Sequence, residues 1–309
     1  MENKTPRIIV GVDHGFKNIK TAHTLFPAAI SEIKTKPENL EDILEYDGKL
    51  YSLNGEQVYF VDTQDKTQTE DYYLLTLAAI AKEMKARNLT KANILLAVGL
   101  PFKWFDKQKD NFKNYLMKNS EVVFKFEGKR YVISLEACKV FVQGHSAIAP
   151  NISKYAEGHC VLVDIGGGTM VVLPMFKGKP LIEECMIDTK ASLHLYTMIK
   201  QRIESEFYNE ISDYDITEAI NSGKQSTNDE YLNIIQEELE KYSEYVFRRL
   251  KEFRINLERT PVVFMGGGSM IIKNFGSYNA NKTSFVLDLN ANAKGYEYIM
   301  QQMLKRKRG

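Results

Sequence analysis

Twice in this chain of 309 residues an apolar run ends in an aspartate and turns through glycine into a second β-prone run. The first copy is Arg7 to Asp13, a tight His14-Gly15-Phe16-Lys17 segment, and Asn18 to Thr24. The second is Cys160 to Asp164, the triplet Gly166-Gly167-Gly168, and Thr169 to Leu173. Apolar runs joined by a glycine-containing turn read as paired strands. Asp13 and Asp164 lie about half the chain apart, which predicts an internally duplicated α/β architecture. Length alone gives about two domains at roughly 150 residues each. The expectation is a first lobe over 1–150 and a second over 151–309, with the last helix left able to return to the first. A third strand, Val262 to Met265, runs into Gly266-Gly267-Gly268 and opens a helix at Ser269.

Between these signals the pattern alternates. Residues 31–68 are polar and acidic and read as a small peripheral insertion, with a hairpin of Lys49 to Leu53 and Gln57 to Val61 around Asn54-Gly55. Leu74, Leu77, Ala78, Ala81 and Met84 predict an amphipathic helix over 69–87. Asn93 to Leu100 is an apolar strand, and Phe105, Phe112 and Leu116 mark one face of a following helix. Val122 to Phe126 and Arg130 to Leu135 suggest a hairpin through Glu127-Gly128, and Val140 to Gln143 a last strand before a short helix ending near Pro150. Helices are expected over Ala191 to Glu206, Asp229 to Phe253 and Lys294 to Leu304.

Composition excludes several classes. The 41 Lys and Arg against 40 Asp and Glu leave +1, so no global field draws nucleic acid or an anionic membrane. The basic end, Lys305 to Arg308, reads as a solubilising helix terminus rather than a DNA-binding arm. With Tyr298, Ile299, Met303 and Leu304 it makes a poor membrane anchor. No apolar run approaches the roughly 18 to 20 residues that span a bilayer, and the first residues lack a signal-peptide core, so a cytoplasmic protein is expected. Cys138, Cys160 and Cys185 read as core thiols, and the histidines form no zinc pattern. Neither GxxxxGK[ST] nor a GxGxxG after a strand occurs, which excludes a P-loop enzyme and argues against a dinucleotide fold.

Glycine turns suit phosphates, because without Cβ atoms the backbone N–H groups can converge on an anion. Mg²⁺ is usually held through one or two carboxylates plus substrate phosphates, a role open to Asp13 and Asp164. Lys20 could neutralise phosphate charge. A nucleotide site follows.

These residues carry a resemblance. Gly11-Val12-Asp13-His14-Gly15-Phe16-Lys17-Asn18-Ile19-Lys20 resembles the first phosphate motif of the actin, Hsp70 and sugar-kinase superfamily. Val163-Asp164-Ile165-Gly166-Gly167-Gly168-Thr169 resembles its second phosphate motif, and Phe264-Met265-Gly266-Gly267-Gly268-Ser269-Met270 its adenosine motif. Within it the chain is most similar to bacterial actin-like ATPases of the ParM/StbA plasmid-segregation type. The segment from Asp65 to Ala81 is similar to that of firmicute members.

The resemblance implies an actin-like (ribonuclease H-like) duplicated two-lobed α/β fold with a central nucleotide cleft. It implies that Asp13 and Asp164 organise Mg²⁺, and that Gly15, Phe16, Lys17, Asn18 and Lys20 hold the terminal phosphates of ATP or ADP. Gly166, Gly167, Gly168 and Thr169 would form the opposing phosphate loop, while Gly267, Gly268, Ser269, Met270 and Ile271 line adenine and ribose. Gln143 stands where actins orient the attacking water; an amide orients water but does not readily take its proton, so slow hydrolysis is expected. His14 is expected as an exposed turn residue.

The function so implied is an ATPase that polymerises head to tail into filaments and segregates plasmid or other mobile DNA. The 31–68 insertion is expected either to contact the next protomer or to lie as a flap over the cleft. DNA would be reached through a ParR-type adaptor at a centromere-like site, with no strong direct nucleic-acid binding and no membrane. Little chain follows the adenosine motif, which argues against a chaperone. The alternatives are a non-polymerising small-molecule kinase, for which residues 98–104 offer no evident catalytic base, and a membrane-associated cell-division or pilus protein.

Overall fold

The computed structural model describes residues 5–57, 65–155, 157–227 and 229–306. The chain divides into two compact units, Met1–Pro150 with Asn290–Gly309, and Asn151–Leu289.

The first unit contains β1 (Arg7–His14), β2 (Asn18–Lys20), β3 (Leu25–Pro27), β4 (Ala29–Ile33), β5 (Ile43–Tyr46) and β6 (Lys49–Gln57). These are followed by α1 (Asp71–Ala86), β7 (Lys91–Leu100), α2 (Phe102–Leu116), β8 (Glu121–Phe126), β9 (Lys129–Val142) and α3 (His145–Ile148). Nine strands form one sheet in the order β3-β2-β1-β7-β9-β8-β5-β6-β4. β1, β7 and β9 run parallel, and the outer strands pair antiparallel. The two regimes are visible in the residues. β7 is buried almost throughout, as a parallel strand covered on both faces must be. β8 alternates exposed and buried residue by residue, as a half-solvated strand does.

Three sequence expectations change here. The expected Asn54-Gly55 hairpin is absent, because β6 continues through that dipeptide, with a register shift against β4. The turn lies one strand earlier at Asp47-Gly48, where φ values of 51° and 73° supply the left-handed pair a tight hairpin needs. The proposed second arm at 58–61 lies outside the described residues. Residues 43–57 are also not a separate insertion: β5 pairs with β8, and Leu44, Tyr51 and Leu53 enter the main core. Last, α1 is not amphipathic in the ordinary sense, since Tyr72 to Ala81 are all buried; a helix apolar on every side is a central one. Its N-terminus is capped from α2, where the Tyr115 hydroxyl accepts from Tyr73 N–H at 2.7 Å and donates to Thr69 O at 2.8 Å. The fully buried Glu83 of α1 accepts from the Thr21 hydroxyl, the His23 backbone and Arg87, which ties the β2–β3 connection to the helix.

The second unit contains β10 (His159–Ile165), β11 (Met170–Phe176), β12 (Lys179–Pro180), β13 (Met186–Asp188), α4 (Ser192–Phe207), α5 (Asp213–Ser222), α6 (Glu230–Glu252), β14 (Val262–Met265), α7 (Ser269–Phe275) and β15 (Thr283–Val286). Its sheet runs β12-β11-β10-β14-β15, with β13 also on β11. The antiparallel β10–β11 pair and the parallel β10–β14–β15 set repeat the β1–β2 pair and the β1–β7–β9 set, so the duplication is present in topology. Asp229 caps α6 by accepting from the N–H groups of Tyr231 and Leu232. A Ser212/Asp215 capping box opens α5, a helix the periodicity had not revealed. Buried Asp188 accepts from the Tyr245 hydroxyl and from Arg249 Nε, both at 2.7 Å, and fastens β13 to α6.

After the second unit the chain returns to the first with α8 (Ala291–Arg306). Three glycines admit it. A Cβ on Gly11 would run into Ala293 O, one on Gly99 into the Tyr296 ring, and one on Gly295 into Ser146 O. Here glycine serves close approach rather than flexibility. No described helix is long and apolar enough to cross a membrane. Gly295→Ala should lower stability by at least about 2 kcal/mol through overpacking against the α3 backbone. Thermal unfolding should show this as a melting point lower by several degrees.

Candidate functional site

β1 delivers Asp13 to its C-terminal end, only 2% exposed, and the register opposes it to Lys20 on β2. Lys20 Nζ lies 3.3 Å from Asp13 Oδ2. Gln143, just past the end of β9, donates from Nε2 to Asp13 Oδ1 at 2.8 Å, and the Tyr296 hydroxyl of α8 lies 3.5 Å from the same oxygen. Burial opposes the charged carboxyl, but Lys20, Lys66 and the Gln143 bond outweigh it and hold Asp13 below the usual carboxylate range.

The turn after β1 is built on Gly15, where a Cβ would stand 2.6 Å from Asn18 O. Its N–H donates to Asp13 O at 3.1 Å. Phe16, Lys17, Asn18 and Lys20 are partly exposed along the turn and the start of β2. His14 differs from expectation, being fully buried: its Nε2 pairs with the Thr76 hydroxyl at 2.7 Å, and its ring meets Tyr72 and Phe112 edge-on. Burial, reinforced by Lys66, pushes His14 down to about 3, so the ring is neutral.

Lys66 is the residue that sequence reasoning missed. Its ammonium donates to His14 O, and it is 3% exposed between the rings of Phe16 and Tyr72. Burial lowers it to about 8, against the pull of Asp13. It sits among polar residues with no pattern to single it out, in the same Asp65 to Ala81 segment that carried the family resemblance.

The second unit repeats the device. β10 ends at Asp164 and Ile165, and Gly166 N–H closes the turn on Thr169 O at 2.9 Å. Gly166, Gly167 and Gly168 are partly exposed while Thr169 is buried. The turn after β14 divides by role. Gly266, at φ 80°, and Gly268 pack against the end of β10, where Cβ atoms would strike Asp164 Oδ1 and Ile165 respectively. Gly267 faces open space. Ser269 donates its hydroxyl to Gly266 O at 2.7 Å, Ile271 belongs to the core, and Met270 is partly exposed. Of the five expected adenosine residues, Gly267 and Met270 are accessible, while Gly268, Ser269 and Ile271 are buried. Among the described residues no group of three or more His, Cys, Asp or Glu converges as a metal cage.

Against this geometry, residues 11–145 match the family described as the actin like proteins N terminal domain. No curated protein sequence matches the chain. Among solved structures it is similar to apo psk41 ParM, at 16% identity and a TM-score of 0.72 over 97% of this chain and 99% of that one. It is equally similar to the Alp12 filament structure, at 16% identity and 0.72 over 97% and 100%. The ADP complex of Ta0583, an archaeal actin homolog, gives 17% identity and 0.72 over 96% and 99%. At such identities the likeness is one of fold. The chain has the actin-like α/β fold, in two units.

The neutral His14 carries a pH signature. The unfolded chain protonates it below its ordinary 6.5 and the folded protein does so only near 3, so stability falls as pH drops through that window. From pH 7 to pH 5 the loss from this group is about 2 kcal/mol. Denaturant unfolding at both pH values should show the drop in the wild type and a correspondingly smaller one in His14→Gln.

Proposed function

We propose that this chain binds ATP with Mg²⁺, hydrolyses it slowly to ADP and phosphate, and assembles head to tail into filaments while ATP is bound. The carrying observation is the buried Asp13 flanked by Lys20, Lys66 and Gln143 at a glycine turn, a turn type that recurs after Asp164. A glycine turn beside two lysines suits a polyphosphate, because the backbone can approach an anion closely there. The two Asp13 oxygens accept from Gln143 and Lys20, one each, and keep lone pairs that would serve a metal or its waters. Mg²⁺ would neutralise phosphate charge, held by Asp13, Asp164 and the phosphates themselves.

Gln143 is oriented for one task. Its amide nitrogen is fixed on Asp13, which leaves Oε1 as the acceptor for a water O–H. In hydrolysis that water attacks the terminal phosphorus, the bond to the β–γ bridging oxygen breaks, and ADP leaves. The proton passes to phosphate or solvent because an amide does not take it, and hydrolysis is slow for that reason. Gly15 to Asn18 with Lys20, and Gly166 to Thr169, hold phosphates, and Gly267 and Met270 meet the adenosine.

The ADP bound to Ta0583 and the filament formed by Alp12 support nucleotide binding and self-association respectively. The resemblance to ParM supports segregation of plasmid or other mobile DNA through a ParR-type adaptor. Pelleting and light scattering with Mg-ATP, Mg-ADP or no nucleotide should show assembly in ATP. Asp164→Ala should abolish both phosphate release and ATP-driven pelleting with an unchanged circular dichroism spectrum. Wild-type turnover in that variant would remove Asp164 from the mechanism, and absence of ATP-dependent pelleting by the wild type would remove the filament.

A further inference from the structure

The two glycine turns are held from behind by different means. In the second unit Gly166 O accepts the N–H and hydroxyl of Ser192, and Gly167 O accepts Leu193 N–H at 3.0 Å, all from the first turn of α4. A trans peptide sets its C=O and its N–H on opposite sides. Holding these carbonyls against α4 therefore turns the N–H groups of Gly167 and Gly168 the other way.

In the first unit the carbonyls of His14 and Gly15, which match Ile165 and Gly166 in register, are held by side chains. Lys66 donates its ammonium to His14 O, and the Tyr72 hydroxyl lies 3.5 Å from Gly15 O. The His14–Gly15 peptide is thereby bound at both ends, its carbonyl to Lys66 and its N–H to Asp13 O. The next N–H, that of Phe16, belongs to the peptide whose carbonyl faces Tyr72, so it points away from α1. Lys17 O in turn accepts Ala28 N–H at 2.9 Å, which sets the Asn18 N–H.

An ammonium 3% exposed is a costly way to satisfy one carbonyl, since burying a charge without full pairing costs several kcal/mol. A methionine would fill the space between Phe16 and Tyr72 without that penalty. We propose that Lys66 and Tyr72 are the positioning residues of the first phosphate turn: Lys66 locks the His14–Gly15 peptide in place, and Tyr72 holds the next carbonyl back so that the Phe16 N–H is set for a polyphosphate before one binds. Tyr72 stands where Ser192 of α4 holds Gly166 O, and Lys66 where the Gly268 N–H holds Ile165 O at 2.9 Å. Lys66 also joins the segment entering α1 to the turn, so a phosphate on the turn and the placement of that segment are coupled. The inference rests on the nucleotide reading above.

The test compares wild type, Lys66→Met and Tyr72→Phe by three measurements: calorimetric titration with Mg-ATP, melting of the nucleotide-free protein, and amide hydrogen exchange over residues 14–18 without nucleotide. Lys66→Met should bind ATP at least about tenfold more weakly, and Tyr72→Phe about threefold, through lost preorganisation. Melting should stay within a few degrees of wild type, because losing the carbonyl's partner offsets relief of the buried charge. Exchange over 14–18 should quicken, most in Lys66→Met, while β10 and β11 stay unchanged. Unaltered affinity and exchange in Lys66→Met overturn the inference, as does a lowered melting point with faster exchange throughout the first unit, which is the mark of a core-filling role. Should Lys66→Met not fold, Tyr72→Phe decides: unchanged affinity and exchange there overturn it. Failure of the wild type to bind ATP overturns the nucleotide reading instead, and exchange over 14–18 still decides whether Lys66 holds the turn.

Discussion

The first unit is organised around one buried carboxylate. Asp13 at 2% exposure would be prohibitively costly to ionise alone, and its neighbours make it affordable by approaching from four directions. Lys20 comes from the adjacent strand, Gln143 from the end of β9, Lys66 from the entry to α1 and Tyr296 from the C-terminal helix. Each partner belongs to a different element, so the charge is stable only once the sheet, the central helix and α8 are assembled. The same convergence shapes the candidate site, because it fixes Asp13 at the start of the glycine turn.

Close approach is the second constraint, and glycine supplies it at defined places. Gly11 and Gly99 let α8 lie against β1 and β7, and Gly295 lets it lie against α3. That contact seats the Tyr296 hydroxyl beside Asp13. In the second unit Gly266 and Gly268 bring the turn after β14 against the end of β10, beside Asp164. In that turn the glycines thus divide: Gly266 and Gly268 make room for Asp164 and Ile165, and Gly267 faces open space.

The turn chemistry shows how duplication tolerates different solutions. Both units place an aspartate at the end of a strand, follow it with a glycine turn and pair the returning strand antiparallel. One turn is braced by helix amides, which carry no net charge. The other is braced in part by a buried lysine, whose charge is balanced by Asp13 itself. The braces need not match, because each peptide plane responds only to where its carbonyl is held.

What the residues alone determined were features carried by local pattern. The repeated strand, aspartate and glycine turn led to the duplicated architecture, and the apolar run of β7, the α6 stripe and Glu127-Gly128 located a strand, a helix and a hairpin. What only the tertiary structure decided were features that depend on partners distant in sequence. Asn54-Gly55 has hairpin chemistry, yet β6 continues through it because β4 pairs with the strand on both sides of the dipeptide, at Ser52 and at Gln57, with a register shift between. His14 looks like a turn residue and is buried because α1 and α2 close over it with Tyr72, Thr76 and Phe112. Lys66 has no periodic signal, since its role comes from meeting the His14 carbonyl at a sequence separation of 52. Local propensity reads which elements form; the burial of a charge and the hold on a carbonyl exist only after those elements meet.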